Sequence, residues 1–179
     1  MRRFILLLAL LPLAAFARDW NVDMAKSGLG FDGTYQGGAF AGKFAKFSAQ
    51  IAYDETNLAQ SKFDVTVQLS SVDTGSGERD QTLATADFFD TAKFPQAHFA
   101  TSAFNRGADG GVIALGTLTI RDQSKPVTLN VKFAVSGGAT TLDVDSTLNR
   151  LDFGLGTSGD WADISRDIHV HGHLVLSAK

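Results

Sequence analysis

Cysteine is absent from this 179-residue chain, and basic residues and proline are in short supply. Without cysteine the chain has no disulfides, no thiolate nucleophile and no cysteine-ligated zinc or iron–sulfur site. Its 16 basic residues are outnumbered by 19 acidic ones, which excludes the basic footprint of a nucleic-acid-binding protein. The apolar run from Phe4 to Leu13 has ten residues, whereas a membrane-spanning helix needs about 20. We therefore expect no nucleic-acid partner and no stable membrane insertion.

The N-terminus has the pattern of an export signal. Arg2 and Arg3 precede the apolar run, and Ala15-Phe16-Ala17 supplies the small residues of a cleavage site. This pattern predicts a secretory signal peptide over residues 1–17. One mature domain then follows over residues 18–179.

An alternation of period two dominates the mature domain. In Lys62 to Ser70, Pro126 to Ser136 and Ile168 to Leu176, apolar residues alternate with polar ones, which is typical of half-buried strands. Less regular strands are predicted at Trp20 to Met24, Gly28 to Phe31, Gly38 to Phe44, Lys46 to Tyr53, Ala97 to Phe104, Val112 to Arg121 and Thr140 to Asp152. Short turns rich in glycine separate them. The spacing predicts an all-β fold, a lipocalin-like antiparallel β-barrel of about eight strands.

One segment interrupts the strand pattern. Gly77 to Lys93 places Arg79, Leu83 and Ala86 at helical spacing, which predicts a short helical crossover. All but two of the 14 phenylalanines lie in the mature domain. Their rings are suited either to the walls of an apolar pocket or to an ordinary packed core. The strand pattern alone leaves a hollow and a filled barrel both open.

Two motifs suggest enzymes but lack the required context. Asp73-Thr74-Gly75 resembles the active-site turn of aspartic proteases, yet that chemistry needs two such carboxylates and the chain has one copy. Residues 154–159 fit the glycine pattern of dinucleotide-binding proteins, but no βαβ unit surrounds them. A Gly-x-Ser-x-Gly nucleophile motif is also absent from the sequence. We therefore expect no catalytic residue, no enzyme activity and no cofactor.

Three histidines alternate along the last predicted strand. His169, His171 and His173 share one face, opposite the apolar residues, so we expect them to point outward into solvent. Neighbours on such a face lie about 6.6–6.8 Å apart along the strand, so two imidazoles are able to share a zinc ion. The third is too distant unless an adjacent strand supplies ligands. We expect no functional metal site here.

Charged residues cluster near the predicted crossover and at strand ends. Two interpretations stay open for them: salt bridges that stabilise turns, or a site for a ligand head group at the mouth of the barrel. The candidate mouth residues are Arg79, Asp80, Asp87, Arg121 and Arg150.

Several blocks, in order along the whole mature chain, resemble the YceI-like polyisoprenoid-binding proteins. The central signature is carried by Ser71-Val72-Asp73-Thr74-Gly75, Glu78-Arg79-Asp80, Ala86-Asp87-Phe88-Phe89-Asp90 and Lys93-Phe94-Pro95. Later blocks are Gly116 to Arg121, Lys125 to Leu129 and Arg150 to Gly154, and the opening Trp20 to Asp23 is also similar.

The resemblance implies a periplasmic lipocalin-like barrel that binds an isoprenoid lipid, such as a quinone or a polyprenyl phosphate, in a long apolar cavity. It implies carriage or storage. The alternative is an enzyme or stress-response factor that acts on a prenyl substrate, and the sequence leaves a homodimer open. Combined with the inward faces of the strands, the resemblance implies ligand contacts from Phe31, Phe40, Phe44, Phe63, Val65, Val67, Leu69, Phe88, Phe89, Phe99, Leu118, Ile120, Leu129, Val131, Phe133, Phe153, Ile168 and Val170.

Overall fold

The computed structural model describes residues 17–179. The predicted signal peptide therefore lies outside the described residues, apart from Ala17. The described part is mostly antiparallel sheet, with strands β1 (Asp19–Val22), β2 (Gly28–Tyr35), β3 (Gly38–Phe44), β4 (Phe47–Ala52), β5 (Lys62–Gln68), β6 (Val72–Asp73), β7 (Gln96–Arg106), β8 (Val112–Ile120), β9 (Gln123–Ser136), β10 (Ala139–Asn149) and β11 (Asp167–Ala178). The three segments with the clearest alternation in sequence fall in β5, β9 and β11.

The sheet closes on itself as a barrel. Strand β1 pairs with β4 on one side and with the end of β11 on the other, where Trp20 lies opposite Ala178. Three of the barrel strands are interrupted by short breaks: β1 continues as β2, β3 as β4, and β5 as β6. Counted in this way, the barrel has eight strands. Closure leaves few free strand edges. The predicted eight-stranded antiparallel barrel is confirmed.

A single turn-rich crossover covers one end of the barrel. It begins with helix α1 (Gly77–Ala84), where the Ser76 hydroxyl caps the first turn by accepting a hydrogen bond from the Arg79 amide at 3.4 Å. The short helix and crossover predicted over Gly77 to Lys93 are confirmed, and α1 ends at Ala84. Residues 85–94 form successive turns, because Thr85 leaves helical geometry with an extended backbone. No helix in the part of the chain that the structure describes is long and apolar enough to cross a membrane.

The interior of the barrel is divided into a packed half and an open half. In the packed half, the ring of Tyr53 lies 5.0 Å from Phe133, 6.0 Å from Phe63 and 6.2 Å from Phe104. The Trp20 indole donates to the Tyr53 carbonyl at 3.0 Å and closes this end. A second apolar cluster lies below the crossover. The barrel is thus filled at one end, and its free volume lies at the other.

Candidate ligand-binding cavity

A cavity of about 650 Å³ occupies the open half of the barrel. This volume falls within the range of about 300–1,000 Å³ that is usual for ligand pockets. Most of the lining is aliphatic or aromatic. The predicted ligand residues that line it are Phe31, Phe40, Phe44, Val65, Val67, Leu69, Phe88, Phe89, Phe99, Leu118, Ile120, Leu129, Phe153, Ile168 and Val170.

Three predicted ligand residues lie elsewhere. Phe63, Val131 and Phe133 belong to the packed half, where they contact the aromatic cluster around Tyr53. Their side chains point inward, as the alternation predicts. The period of a strand fixes which face a residue is on, however, and not its height along the barrel axis. The structure therefore separates these three residues from the cavity.

The cavity also has lining residues that the sequence analysis missed. Val144, Ser146 and Leu148 alternate along β10, so their period of two was a usable signal. Leu155, Trp161 and Ile164 lie on the loop between β10 and β11. That loop has no periodicity, so only its packing against the barrel reveals their position. The remaining additions are Leu29, Tyr35, Ser76, Glu78, Thr82, Leu83, Ala97 and Val127.

Asp87 connects the crossover to the β10–β11 loop, and both of these segments border the cavity. Its carboxylate accepts a hydrogen bond from the Trp161 indole at 3.0 Å, and its carbonyl accepts one from the Gly156 amide at 2.6 Å. The rings of Phe88 and Trp161 meet edge to face, with centroids 5.1 Å apart. Asp87 does not line the cavity, and its contacts hold the crossover against the β10–β11 loop.

Arg150 lies beside the cavity with its donors occupied. Its side chain is 6% exposed, and its guanidinium donates to five backbone carbonyls, those of Leu155, Gly156, Trp161, Ile164 and Ser165, at 2.5–3.1 Å. Burial, with a smaller contribution from the charge of Arg166, lowers the pKa of this guanidinium from its usual value. A guanidinium has five N–H donors, so Arg150 has none left for a ligand and acts as a clamp on the loop.

Two other predicted mouth residues also make structural contacts. Arg121 donates to the carbonyls of Phe88 and Gly154, at 3.1 and 3.2 Å, and so joins the crossover to the loop. Asp80 accepts from both the amide and the hydroxyl of Thr74, at 2.9 and 2.7 Å. Neither residue lines the cavity. Asp80 is therefore committed to the turn before α1, and no ion pair joins it to Arg79 among the described residues.

Much of the polar part of the cavity lining comes from α1 and its N-cap, Ser76. Ser76, Glu78, Arg79 and Thr82 all line it there, and the side chains of Glu78 and Arg79 are exposed. The Arg79 guanidinium lies 5.7 Å from the centre of the Phe40 ring. This rim, Ser76 to Thr82, is the mouth of the cavity. Arg79 is the predicted mouth residue that the structure places both at the cavity and at the surface.

The two enzyme-like motifs are ordinary loop structure. Asp73 accepts from the Gly75 amide at 3.0 Å and pairs with Lys43 at 3.4 Å, and these contacts lower the pKa of its carboxyl. Residues 154–159 follow a short 3-10 turn and lead into another one. No βαβ unit surrounds them in the described chain.

Comparisons with known proteins agree with this architecture. A family model described as a YceI-like domain matches residues 20–176. A UPF0312 protein of Vibrio vulnificus is 31% identical over 175 residues, which is 93% of each chain. The crystal structure of BcnA from Burkholderia cenocepacia is 30% identical, with a TM-score of 0.81 over 88% of this chain and 100% of that one.

A more distant likeness concerns the fold. A polyisoprenoid-binding domain from Saccharophagus degradans has a TM-score of 0.67 at 17% identity, and the match covers 90% of this chain and 99% of that one. At that identity the comparison supports the same barrel architecture.

Proposed function

Since the chain belongs to the YceI-like domain family, we propose that it binds the isoprenoid chain of a lipid in the barrel cavity and carries or stores it without catalysis. The observation that carries the proposal is the distribution of polarity. The cavity walls are apolar, and polar side chains concentrate at the mouth. Such a site suits a ligand with a long hydrocarbon tail and a polar end.

The free energy of this binding comes from burial. Each CH₂-sized group moved from water into the cavity contributes about 0.8 kcal/mol, so a tail of several isoprene units needs no strong polar contact. Inside the cavity, the donors of Arg150 and the hydroxyl of Ser146, which donates to the Thr128 carbonyl at 2.8 Å, already have protein partners. The walls therefore present few unpaired polar groups to the tail. The domain from Saccharophagus degradans is described as polyisoprenoid-binding, and we extend that ligand class to this chain on the strength of its own cavity.

Ligand loading tests the proposal directly. Native mass spectrometry of protein exported by its own signal, followed by organic extraction, identifies a co-purified lipid. Val67→Phe fills space beside the cavity, whereas Thr66→Phe adds the same ring on the opposite face of β5. We expect Val67→Phe to lose the lipid and Thr66→Phe to keep it. Equal retention by two folded variants would contradict binding in this cavity, and turnover of added geranylgeranyl diphosphate would support an enzyme.

The head group is expected at Arg79. Charge-assisted contacts to phosphate are roughly twice as strong as neutral hydrogen bonds, so Arg79→Ala should weaken binding of geranylgeranyl phosphate more than that of a neutral short-chain quinone. Arg106, an exposed arginine that does not line the cavity, supplies the matched control Arg106→Ala. Trp161 lines the cavity while Trp20 lies in the packed half, so tryptophan quenching reports each titration. An unchanged preference would remove Arg79 from the ligand site.

We also propose that carriage takes place in the periplasm. The predicted signal peptide supports this location, and cleavage should leave Arg18 within two residues of the mature N-terminus. Mass spectrometry of protein from the periplasmic fraction measures that terminus. Recovery of an intact Met1 from that fraction would contradict the proposal.

A further inference from the structure

We propose that the outer wall of the barrel carries a binding site for a divalent transition-metal ion, formed by Asp32, His169 and His171. The site lies where β2 pairs with β11. One ligand atom from each of the three side chains lies within 4.8 Å of the other two. Two imidazoles and one carboxylate are a ligand set that zinc and copper both accept.

The pairing register brings the three side chains together. His169 lies directly opposite Asp32, and His171 lies opposite Gly30. Paired residues in an antiparallel sheet point to the same face, so the carboxylate and both imidazoles project outward. On the inner face of the same strand, Val170 lines the cavity. The metal site is therefore separate from the proposed lipid site, and each is tested without the other.

The distances already approach those of a metal centre. The Nδ1 atoms of His169 and His171 lie 3.1 and 3.6 Å from the same Asp32 carboxylate oxygen. Bonds of about 2.0–2.2 Å in a tetrahedral zinc site place neighbouring ligand atoms roughly 3.3–3.5 Å apart. The two imidazole rings stack, with centroids 5.5 Å apart and planes 28° from parallel. Small side-chain rotations are therefore sufficient to close the site around an ion.

Gly30 makes the arrangement possible. A Cβ atom at this position would lie 2.5 Å from Nε2 of His171, so any larger residue would displace the imidazole ring. The absence of a side chain lets the ring lie across β2 and approach Asp32. Lys43, the next residue across the sheet from Gly30, forms an ion pair with Asp73 at 3.4 Å, which reduces its repulsion of a cation.

The third histidine of the strand has a different partner. His173 lies opposite Gly28 on one side and Asp143 on the other, and its Nδ1 is 2.5 Å from the Asp143 carboxylate. It is therefore a matched control for His171, with the same residue type on the same strand and face. The side chains of His169 and His171 are 44% and 51% exposed, so solvent is able to complete the coordination shell of an ion. The spacing along β11 makes a site for one ion depend on a ligand from an adjacent strand, and in this proposal Asp32 of β2 is that ligand.

Zinc titration of the untagged, exported protein tests the proposal. Isothermal calorimetry with zinc sulfate should give one site per chain, and Asp32→Ala and His171→Ala should each weaken it at least about tenfold, the minimum expected even for loss of an outer-shell partner. His173→Ala should leave the affinity within about twofold of the parent, since its side chain is bound to Asp143. Gly30→Ala keeps every ligand and should still weaken binding, because it displaces the His171 ring. Circular dichroism verifies that each variant is folded.

Three results would overturn the proposal. The first is a dissociation constant of the parent protein for zinc larger than about 0.1 mM, which is weak binding. The second is an equal loss for His173→Ala and His171→Ala, which would indicate generic binding to a histidine-rich strand. The third is an Asp32→Ala variant that binds zinc like the parent. Visible absorption of the cobalt-substituted protein provides an independent readout, because its bands report whether nitrogen and oxygen ligands surround the ion in tetrahedral geometry.

Discussion

The ring of Phe99 lies directly against the backbone of Gly116 on the neighbouring strand. A Cβ atom at position 116 would come within 2.6 Å of two ring carbons of Phe99 and of the Ala100 carbonyl oxygen. Phe99 lines the cavity, whereas Ala114, two residues before Gly116 on β8, belongs to the packed half. The glycine thus lets the Phe99 ring pack closely against β8 where the two halves of the barrel meet.

The first prediction follows from this contact. Gly116→Ala should push the Phe99 ring into the cavity and lower the affinity for geranylgeraniol, measured by quenching of Trp161 fluorescence. Overpacking of this kind costs typically about 1–3 kcal/mol of stability. Gly28→Ala is the control, since a Cβ there meets no atom within 4 Å. Parent-like affinity in a folded Gly116→Ala variant would contradict a role for this contact in shaping the cavity.

The division of the barrel interior predicts different effects for two phenylalanines. Phe63 is 2% exposed in the packed half, so Phe63→Ala should destabilise the protein by about 3–5 kcal/mol. Phe44 borders the empty volume, so Phe44→Ala should cost less stability but alter ligand affinity. Urea unfolding and native mass spectrometry measure the two effects. Equal stability losses, or ligand loss only in folded Phe63→Ala, would contradict the division.

The sequence predicts which residues point into the barrel, but it does not predict how deep along the barrel axis each of them lies. Alternation reports the face of a strand, and it correctly directs Val65 and Val67 inward. It does not report depth, so it gives Phe63 and Phe133 the same role as residues in the open half. Depth depends on the stagger of paired strands, which arises only when the whole sheet closes.

The loop after β10 shows a second limit of sequence reasoning. The sequence places Arg150 at the mouth because it is charged and lies near the end of a predicted strand. Its partners are carbonyls up to 15 residues away in an irregular segment, and no local pattern encodes such contacts. The register between paired strands is likewise not encoded locally. Asp32 and His169 are 137 residues apart in the chain, so the sequence around one does not reveal that the other lies beside it.

The clamp formed by Arg150 provides the third prediction. Arg150→Met leaves five loop carbonyls without their donor, and losses of this kind cost about 1–3 kcal/mol for each buried group. We expect a total loss of at least about 3 kcal/mol and faster amide exchange in residues 155–165, measured by hydrogen exchange with mass spectrometry. Arg166→Met, at an exposed arginine beside the same loop, is the control. If the loop amides of Arg150→Met exchange as slowly as those of the parent but the bound lipid has a different head group, Arg150 instead contacts the head group of the ligand.

The fourth prediction concerns how the free energy of unfolding changes at alkaline pH because of Tyr53, a residue of the packed half. Tyr53 is 2% exposed, and burial, with a smaller contribution from the charge of Glu55, raises the pKa of its phenol from 10.0 to about 12. Below pH 10 the phenol keeps its proton in both the folded and the unfolded chain, so it adds no pH dependence. Between about pH 10 and 12 the unfolded chain loses this proton first. Unfolding therefore becomes easier as pH rises, by at most about 1.4 kcal/mol per pH unit from this group.

Two tyrosine variants isolate that contribution from the other groups that titrate in alkali. Tyr53→Phe retains the ring but removes the ionisable hydroxyl, so its free energy of unfolding in urea should fall less steeply above pH 10 than that of the parent. Tyr35→Phe is the control, because Tyr35 is 42% exposed and lies outside the packed half. Ultraviolet absorbance of the phenolates should show one tyrosine titrating only at higher pH in the folded protein. Identical pH profiles for the parent and Tyr53→Phe would mean that the packed end admits water, and that burial does not hold this proton.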